Sequence, residues 1–156
     1  SAALDGADID SAMPVALAAA RHGHRRGADG GSATMADQLE WALALTQNRD
    51  AGDAVAIADR IGTSVAAIQS IPMAFAVLRL ANGDPWQAAL ISANIGDDTD
   101  TIGAIACGMA GALSGFARLP PDKWQVVARV NNLELGPVAD GLLDLRARRA
   151  SYEAAS

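Results

Sequence analysis

The stretch Ala93–Gly115, ANIGDDTDTIGAIACGMAGALSG, decides how the rest of the chain is read. Asp97, Asp98 and Asp100 fall within four positions, and a run of Ala, Gly and Ile follows. Like charges this close repel, so something must offset the repulsion: solvent, a helix N-terminus or a bound cation. The run behind them carries small side chains that let helices approach closely, and it predicts a helix from about Thr101 to Leu113. The stretch reads as an acidic loop entering a tightly packed helix.

Outward from this loop, nearly every segment carries a helical period. Ser11 is placed to cap a helix that begins at Met13-Pro14 and stops at Gly23, and Gly27–Ser32, GADGGS, reads as a loop. Met35, Leu39, Ala42 and Leu43 form one apolar stripe. Ala54, Ile57, Ala58 and Ile61 form the next, closed by Gly62 in a position that a helix C-cap favours. Ser64 opens a further helix that Pro72 kinks or restarts and Gly83 ends. Asp84-Pro85-Trp86-Gln87 combines an acidic cap, a proline in the first turn and a capping-box glutamine. Helices are also expected over Pro121–Val130 and from near Pro137, the last burying Val138, Leu142 and Leu145. With no alternating strand of useful length, the expected fold is all-α, one helical domain over residues 1–156.

Composition narrows the function classes. The 156 residues are 51% hydrophobic but only 4% aromatic, and the net charge is −6, which argues against nucleic acid or an anionic membrane as partner. No apolar run approaches a membrane span, and the N-terminus lacks the layout of a signal peptide. The single cysteine, Cys107, excludes an internal disulfide framework and fits a cytoplasmic setting. Cys107 lies in the small-residue helix with no His nearby in sequence, so it reads as packing rather than a nucleophile. His22 and His24, among Arg21, Arg25 and Arg26, read as a cationic helix end rather than a zinc site. Gly103, Gly108 and Gly111 are expected to permit close helix contact beneath the acidic loop. Trp41, Trp86 and Trp124 are expected in the core or at an interface.

Two readings of the acidic loop stand side by side. At a helix N-terminus each carboxylate gains about 0.3–1 kcal/mol from the macrodipole and the unsatisfied N–H groups, so the loop could be a multiply acidic cap. A cap needs one oxygen, however, and this loop offers three carboxylates with the hydroxyls of Thr99 and Thr101. Asp98, Asp100 and Thr101 present the hard oxygens that magnesium and manganese prefer.

The segment Gly96-Asp97-Asp98-Thr99-Asp100-Thr101-Ile102-Gly103-Ala104-Ile105-Ala106 resembles the C-terminal metal signature of the ADP-ribosylglycohydrolase family, written Gly-Gly-Asp-x-Asp-Thr before a helix rich in Ala, Ile and Gly. Upstream, IGTSVAAIQSIPMAFAVL (Ile61–Leu78) is similar to the family's glycine-containing turn and following helix. Downstream, VNNLELGPVADGLLDLRARR resembles the end of the family domain. The likeness is good from about Ala54 to Arg146 and slight before Ser32.

The resemblance implies an irregular all-α fold holding two magnesium or manganese ions in a central cleft. Asp98, Asp100 and Thr101 match the family's metal ligands, and Asp100, the candidate catalytic residue, would be shared between the ions. Two ions about 3.5–4 Å apart can clamp vicinal ribose hydroxyls, orient a water and polarise the departing bond. Gly62, Thr63, Ser64 and Val65 match a loop lining the ADP-ribose cleft, with Asp97 beside it. The implied reaction is hydrolysis of a glycosidic bond to ADP-ribose on a protein or small molecule.

Asp97 departs from a glycine in that signature, and Gln69 stands where many relatives carry glutamate. The family's N-terminal Thr-Asp-Asp-Thr motif, upstream glutamate and glycine-rich Met-Arg loop do not occur in these 156 residues; Asp5–Asp10, DGADID, lacks the pattern. The chain thus looks like the C-terminal portion of a larger domain, completed by an N-terminal segment or a second chain. The alternative is a catalytically inactive helical module that binds a partner or an ADP-ribose-like ligand.

Overall fold

The structure is a computed structural model and describes residues 2–24, 33–48 and 50–154; the expected loop at Gly27–Ser32 and the residues Arg25 and Arg26 lie outside them. Among the described residues there are eight α-helices and no strand: α1 (Ile9–His24), α2 (Met35–Leu45), α3 (Ala54–Ile61), α4 (Ala67–Leu80), α5 (Pro85–Asn94), α6 (Thr99–Ser114), α7 (Pro121–Val130) and α8 (Leu135–Ala154). None is long and apolar enough to cross a membrane. The all-α expectation holds. By internal contacts the chain forms two compact units, Ser1–Leu119 and Pro120–Ser156.

Local chemistry explains where several helices start. In α1 the cap is Asp8, whose Oδ1 accepts the Ser11 N–H at 2.8 Å, so Ser11 is a first-turn residue and not the cap. The helix continues through Pro14 and Gly23 to His24. Thr34 opens α2 through a capping box: Thr34 Oγ1 accepts the Asp37 N–H at 3.1 Å, and Asp37 Oδ2 accepts the Thr34 N–H at 2.9 Å. Those bonds from Thr34 hold the Asp37 carboxyl below the usual carboxylate range. Asp84 opens α5 by accepting the Gln87 N–H at 2.8 Å, with Pro85 in the first turn.

Within the first unit, α4 packs against α2, α3, α5 and α6. Eight of its fourteen residues are buried, Pro72 among them, and the helix runs unbroken through that proline. A helix apolar on every side belongs at the centre of a domain. Met73, Val77 and Leu78 in α4 and Ile102 in α6 are almost wholly shielded from solvent; large apolar side chains contribute about 1.5–3 kcal/mol each when fully buried. The α3 stripe is buried as expected at Ala54, Ile57, Ala58 and Ile61.

Helix α6 buries Ile102, Ala106 and Ala110 and lies along α5. Its glycines divide. A β-carbon on Gly103 would stand 3.3 Å from Ser92 Cβ of α5, so that glycine permits close approach. Gly108 and Gly111 would meet nothing within 4 Å, and the expectation for them is corrected. Cys107 is half-buried; its thiol donates to the Pro85 carbonyl at 3.5 Å, and burial pushes its pKa up, as suits a packing residue. Trp41 is exposed, and Trp86 and Trp124 are partly buried, so none of the three is a core residue.

In the second unit, α8 begins at Leu135, close to the expected Pro137, but Val138, Leu142 and Leu145 are 61%, 63% and 62% exposed. Their expected burial is corrected. An apolar period shows which face of a helix could be covered, and within its own unit this face is open.

Candidate metal site

The acidic loop leaves α5 through two successive left-handed residues, Gly96 (φ 80°) and Asp97 (φ 57°). Glycine takes that conformation without cost, whereas Asp is one of the few other residues that visit it. The glycine of the family signature thus falls where the backbone needs glycine-like freedom, and Asp97 occupies the position under mild strain. Asp98 follows at φ −78°, ψ 55°, and the Thr99 N–H donates to the Asp97 carbonyl at 2.8 Å. This is an inverse γ-turn centred on Asp98. The Ile102 N–H then donates to the Asp98 carbonyl at 3.2 Å and starts α6, two residues before the expected Thr101.

Asp98 is the N-cap residue of α6, yet its side chain makes no capping hydrogen bond. Its Oδ2 is buried and has no hydrogen-bond partner. A buried carboxylate oxygen without a partner carries a desolvation cost that no hydrogen bond offsets. Asp98 thus stands at the cap position without the hydrogen bond of a capping side chain.

The turn ahead of α4 meets this loop. Gly62 ends α3 at φ 88°, and the Thr63 carbonyl accepts the Asp98 N–H at 2.9 Å. That bond joins the two stretches expected to form the site. Ser64 Oγ accepts the Ala66 N–H at 3.3 Å, and Gln69 Oε1 accepts the Ser64 N–H at 3.2 Å. Gln69 is the residue whose role sequence reasoning missed; glutamine at this spacing carries no turn signature of its own.

The expected ligands differ in setting. Asp98 is partly buried, whereas Asp97, Asp100 and Thr101 are exposed at the same helix end, and Val65 is 82% exposed. Among the described residues no three His, Cys, Asp or Glu side chains come together, so Asp97 does not complete a cage with Asp98 and Asp100. The donors on offer are two carboxylates and one hydroxyl. These oxygens suit magnesium or manganese in kind, and Asp98 Oδ2 is an acceptor in need of a donor or cation. In number they fall short of six-coordination. A separate apolar cavity of about 370 Å³, lined by Met13, Ala16, Phe75, Leu78, Met109 and Leu113 among others, includes no residue of the loop or the turn.

The family model described as ADP-ribosylglycohydrolase matches residues 1–152. The chain belongs to the ADP-ribosylglycohydrolase family. The match takes in the residues before Ser32, where the likeness read from the sequence is slight. Within the family, the chain is 33% identical over 151 residues to a protein of Escherichia coli (strain K12) described as "Uncharacterized protein YegU". That alignment covers 96% of this chain and 45% of the relative, so the chain spans about half the length of the curated protein it matches. No solved structure matches it.

Proposed function

We propose that this chain supplies the C-terminal half of a dinuclear magnesium or manganese centre in an ADP-ribosylglycohydrolase-type hydrolase. Its substrate would be a glycosidic bond between ADP-ribose, or a related ribosyl group, and a protein side chain or small molecule. The observation that carries the reading is Asp98: an N-cap carboxylate that caps nothing and keeps a buried oxygen without a partner. Family membership supports the reaction class.

In this reading Asp98, Asp100 and Thr101 would hold the ions, with Asp100 the candidate catalytic carboxylate. Bound there, such ions supply Lewis-acid polarisation and a nucleophilic water at neutral pH. The chain's own contribution is positional. The γ-turn withholds the Asp98 carboxylate from the helix amides, the N-terminus of α6 stabilises negative charge, and Gly62, Thr63, Ser64, Val65 and Asp97 border the ADP-ribosyl group. A complementary N-terminal segment, on this polypeptide or a second chain, supplies the missing ligands; the greater length of the relative supports this. Such a segment would also cover Val138, Leu142 and Leu145. A cytoplasmic setting accompanies the proposal, resting on the lone cysteine.

Calorimetric titration with Mn²⁺ tests it. The 156-residue chain should bind weakly, and Asp98→Ala and Asp100→Ala should each abolish binding while keeping the helical circular-dichroism spectrum. Unchanged affinity in both variants refutes the ligand assignment. The chain by itself should cleave no ADP-ribosyl bond; measured turnover by the purified monomer overturns the half-site reading.

A further inference from the structure

The loop and the turn are tied by one main-chain hydrogen bond, from the Asp98 N–H to the Thr63 carbonyl. Thr63 can anchor Asp98 only if the turn is itself held. Within the turn, Ser64 Oγ accepts the Ala66 N–H at 3.3 Å, a bond that lies beyond Thr63 and does not hold it from both sides. Gly62 is the most permissive of residues, and Ala66, the N-cap of α4, has no side chain that can accept a hydrogen bond.

One side chain reaches back across it. Gln69, in the first turn of α4, accepts the Ser64 N–H with Oε1 at 3.2 Å. Its amide group lies against the Gly62 backbone: a β-carbon at position 62 would stand 2.5 Å from Gln69 Cδ, 2.6 Å from Oε1 and 2.8 Å from Nε2. Thr63 is thus bracketed, with its predecessor packed under the Gln69 amide and its successor hydrogen-bonded to it. Glycine at 62 leaves the space that this arrangement fills.

We propose that Gln69 is a positioning residue for the metal site, acting through the turn rather than by touching an ion or substrate. Its carboxamide clamps Gly62 and Ser64, the clamped turn fixes the Thr63 carbonyl, and that carbonyl fixes the amide of Asp98. Asp98 needs such a fix. It lies between a left-handed residue and a γ-turn bond, and its carboxylate has no hydrogen bond of its own to orient it. Outer partners that orient ligands in this manner contribute about 10- to 100-fold to metal affinity. The clamp needs an acceptor oxygen and no particular charge, so glutamate at this position can serve equally. What the site binds rests on the function proposed above; the mechanical link from Gln69 to Asp98 does not.

Amide hydrogen exchange by NMR on the metal-free chain tests the link directly. Gln69→Met keeps the side-chain length and removes the acceptor, and because Gln69 is only partly buried the α4 core is retained. Exchange of the Ser64 and Asp98 amides should quicken about fivefold or more, the equivalent of one lost hydrogen bond. The Gln87 amide, bonded to Asp84, should keep its parental rate. Gln69→Glu should restore both quickened amides. In Mn²⁺ titration Gln69→Met should bind about 10- to 100-fold more weakly and Gln69→Glu close to the parent. An Asp98 amide that exchanges at the parental rate in Gln69→Met overturns the proposal, as does equal loss in the Met and Glu variants. If the parent binds no Mn²⁺, the metal reading fails while the exchange result still decides the clamp.

Discussion

Two consecutive helices begin on an aspartate, and the two are used differently. Asp84, at φ −80°, ψ 120°, has the extended geometry of a capping residue, and its carboxylate accepts the Gln87 N–H. Asp98 has nearly the same φ but a ψ of 55°, set by its γ-turn, and its side chain accepts nothing from the helix it opens. An N-cap oxygen reaches the N2 or N3 amide from the extended region, so the rotation about ψ removes Asp98 from that role. One carboxylate completes a helix. The other is withheld from it, which leaves that carboxylate available for the ligand role proposed above.

The comparison can be broken most severely at the contact that seats α6 on α5. Gly103→Leu should destabilise the chain by about 1–3 kcal/mol, because even a β-carbon there would stand 3.3 Å from Ser92 Cβ. A denaturant midpoint equal to the parent's would mean that α6 can slide off without cost. Next come the aspartates themselves. Asp84→Ala should cost about 1 kcal/mol as a lost cap, whereas Asp98→Ala, measured in chelator, should be neutral or slightly stabilising. Equal losses in thermal unfolding would erase the distinction drawn here. Gly108→Ala, on the open part of α6, should gain about 0.5–1 kcal/mol from helix propensity. A loss there would reveal a neighbour on that face.

The smallest effect concerns a third helix start. Asp37 is exposed, and its bonds from Thr34 hold its folded pKa below the ordinary value of 3.8. Its contribution is therefore present in full above that value and disappears as pH falls through the lower folded pKa. Acid titrations of stability should show a slightly shallower slope in Asp37→Asn; an identical slope would place the capping box outside the stability-determining structure.

Most of the helical frame was legible because its signals are local. The period of Ala54, Ile57, Ala58 and Ile61, the Asp84-Pro85 start and the bounds of α7 depend on neighbours a few residues away. At α1 the expected cap was Ser11, but it is the Asp8 carboxylate, three residues earlier, that accepts the first-turn amide. The glycines of α6 were over-read, since composition gives the capacity for close packing and only the partner helix shows where it is used. At the candidate site the acidic signature was visible, but the Thr63–Asp98 bond and the Gln69 clamp were not. The bond spans two helices of intervening chain, and the clamp depends on a side chain folding back over a turn.

The Thr63–Asp98 bond also limits what could be lifted out of this protein. A peptide copied from Ala93–Gly115 would carry every oxygen of the acidic signature and leave behind the carbonyl that anchors its key residue. Grafting the motif onto another helical scaffold therefore requires two discontinuous pieces, the acidic loop and a glycine-led turn with its glutamine, set at hydrogen-bonding distance.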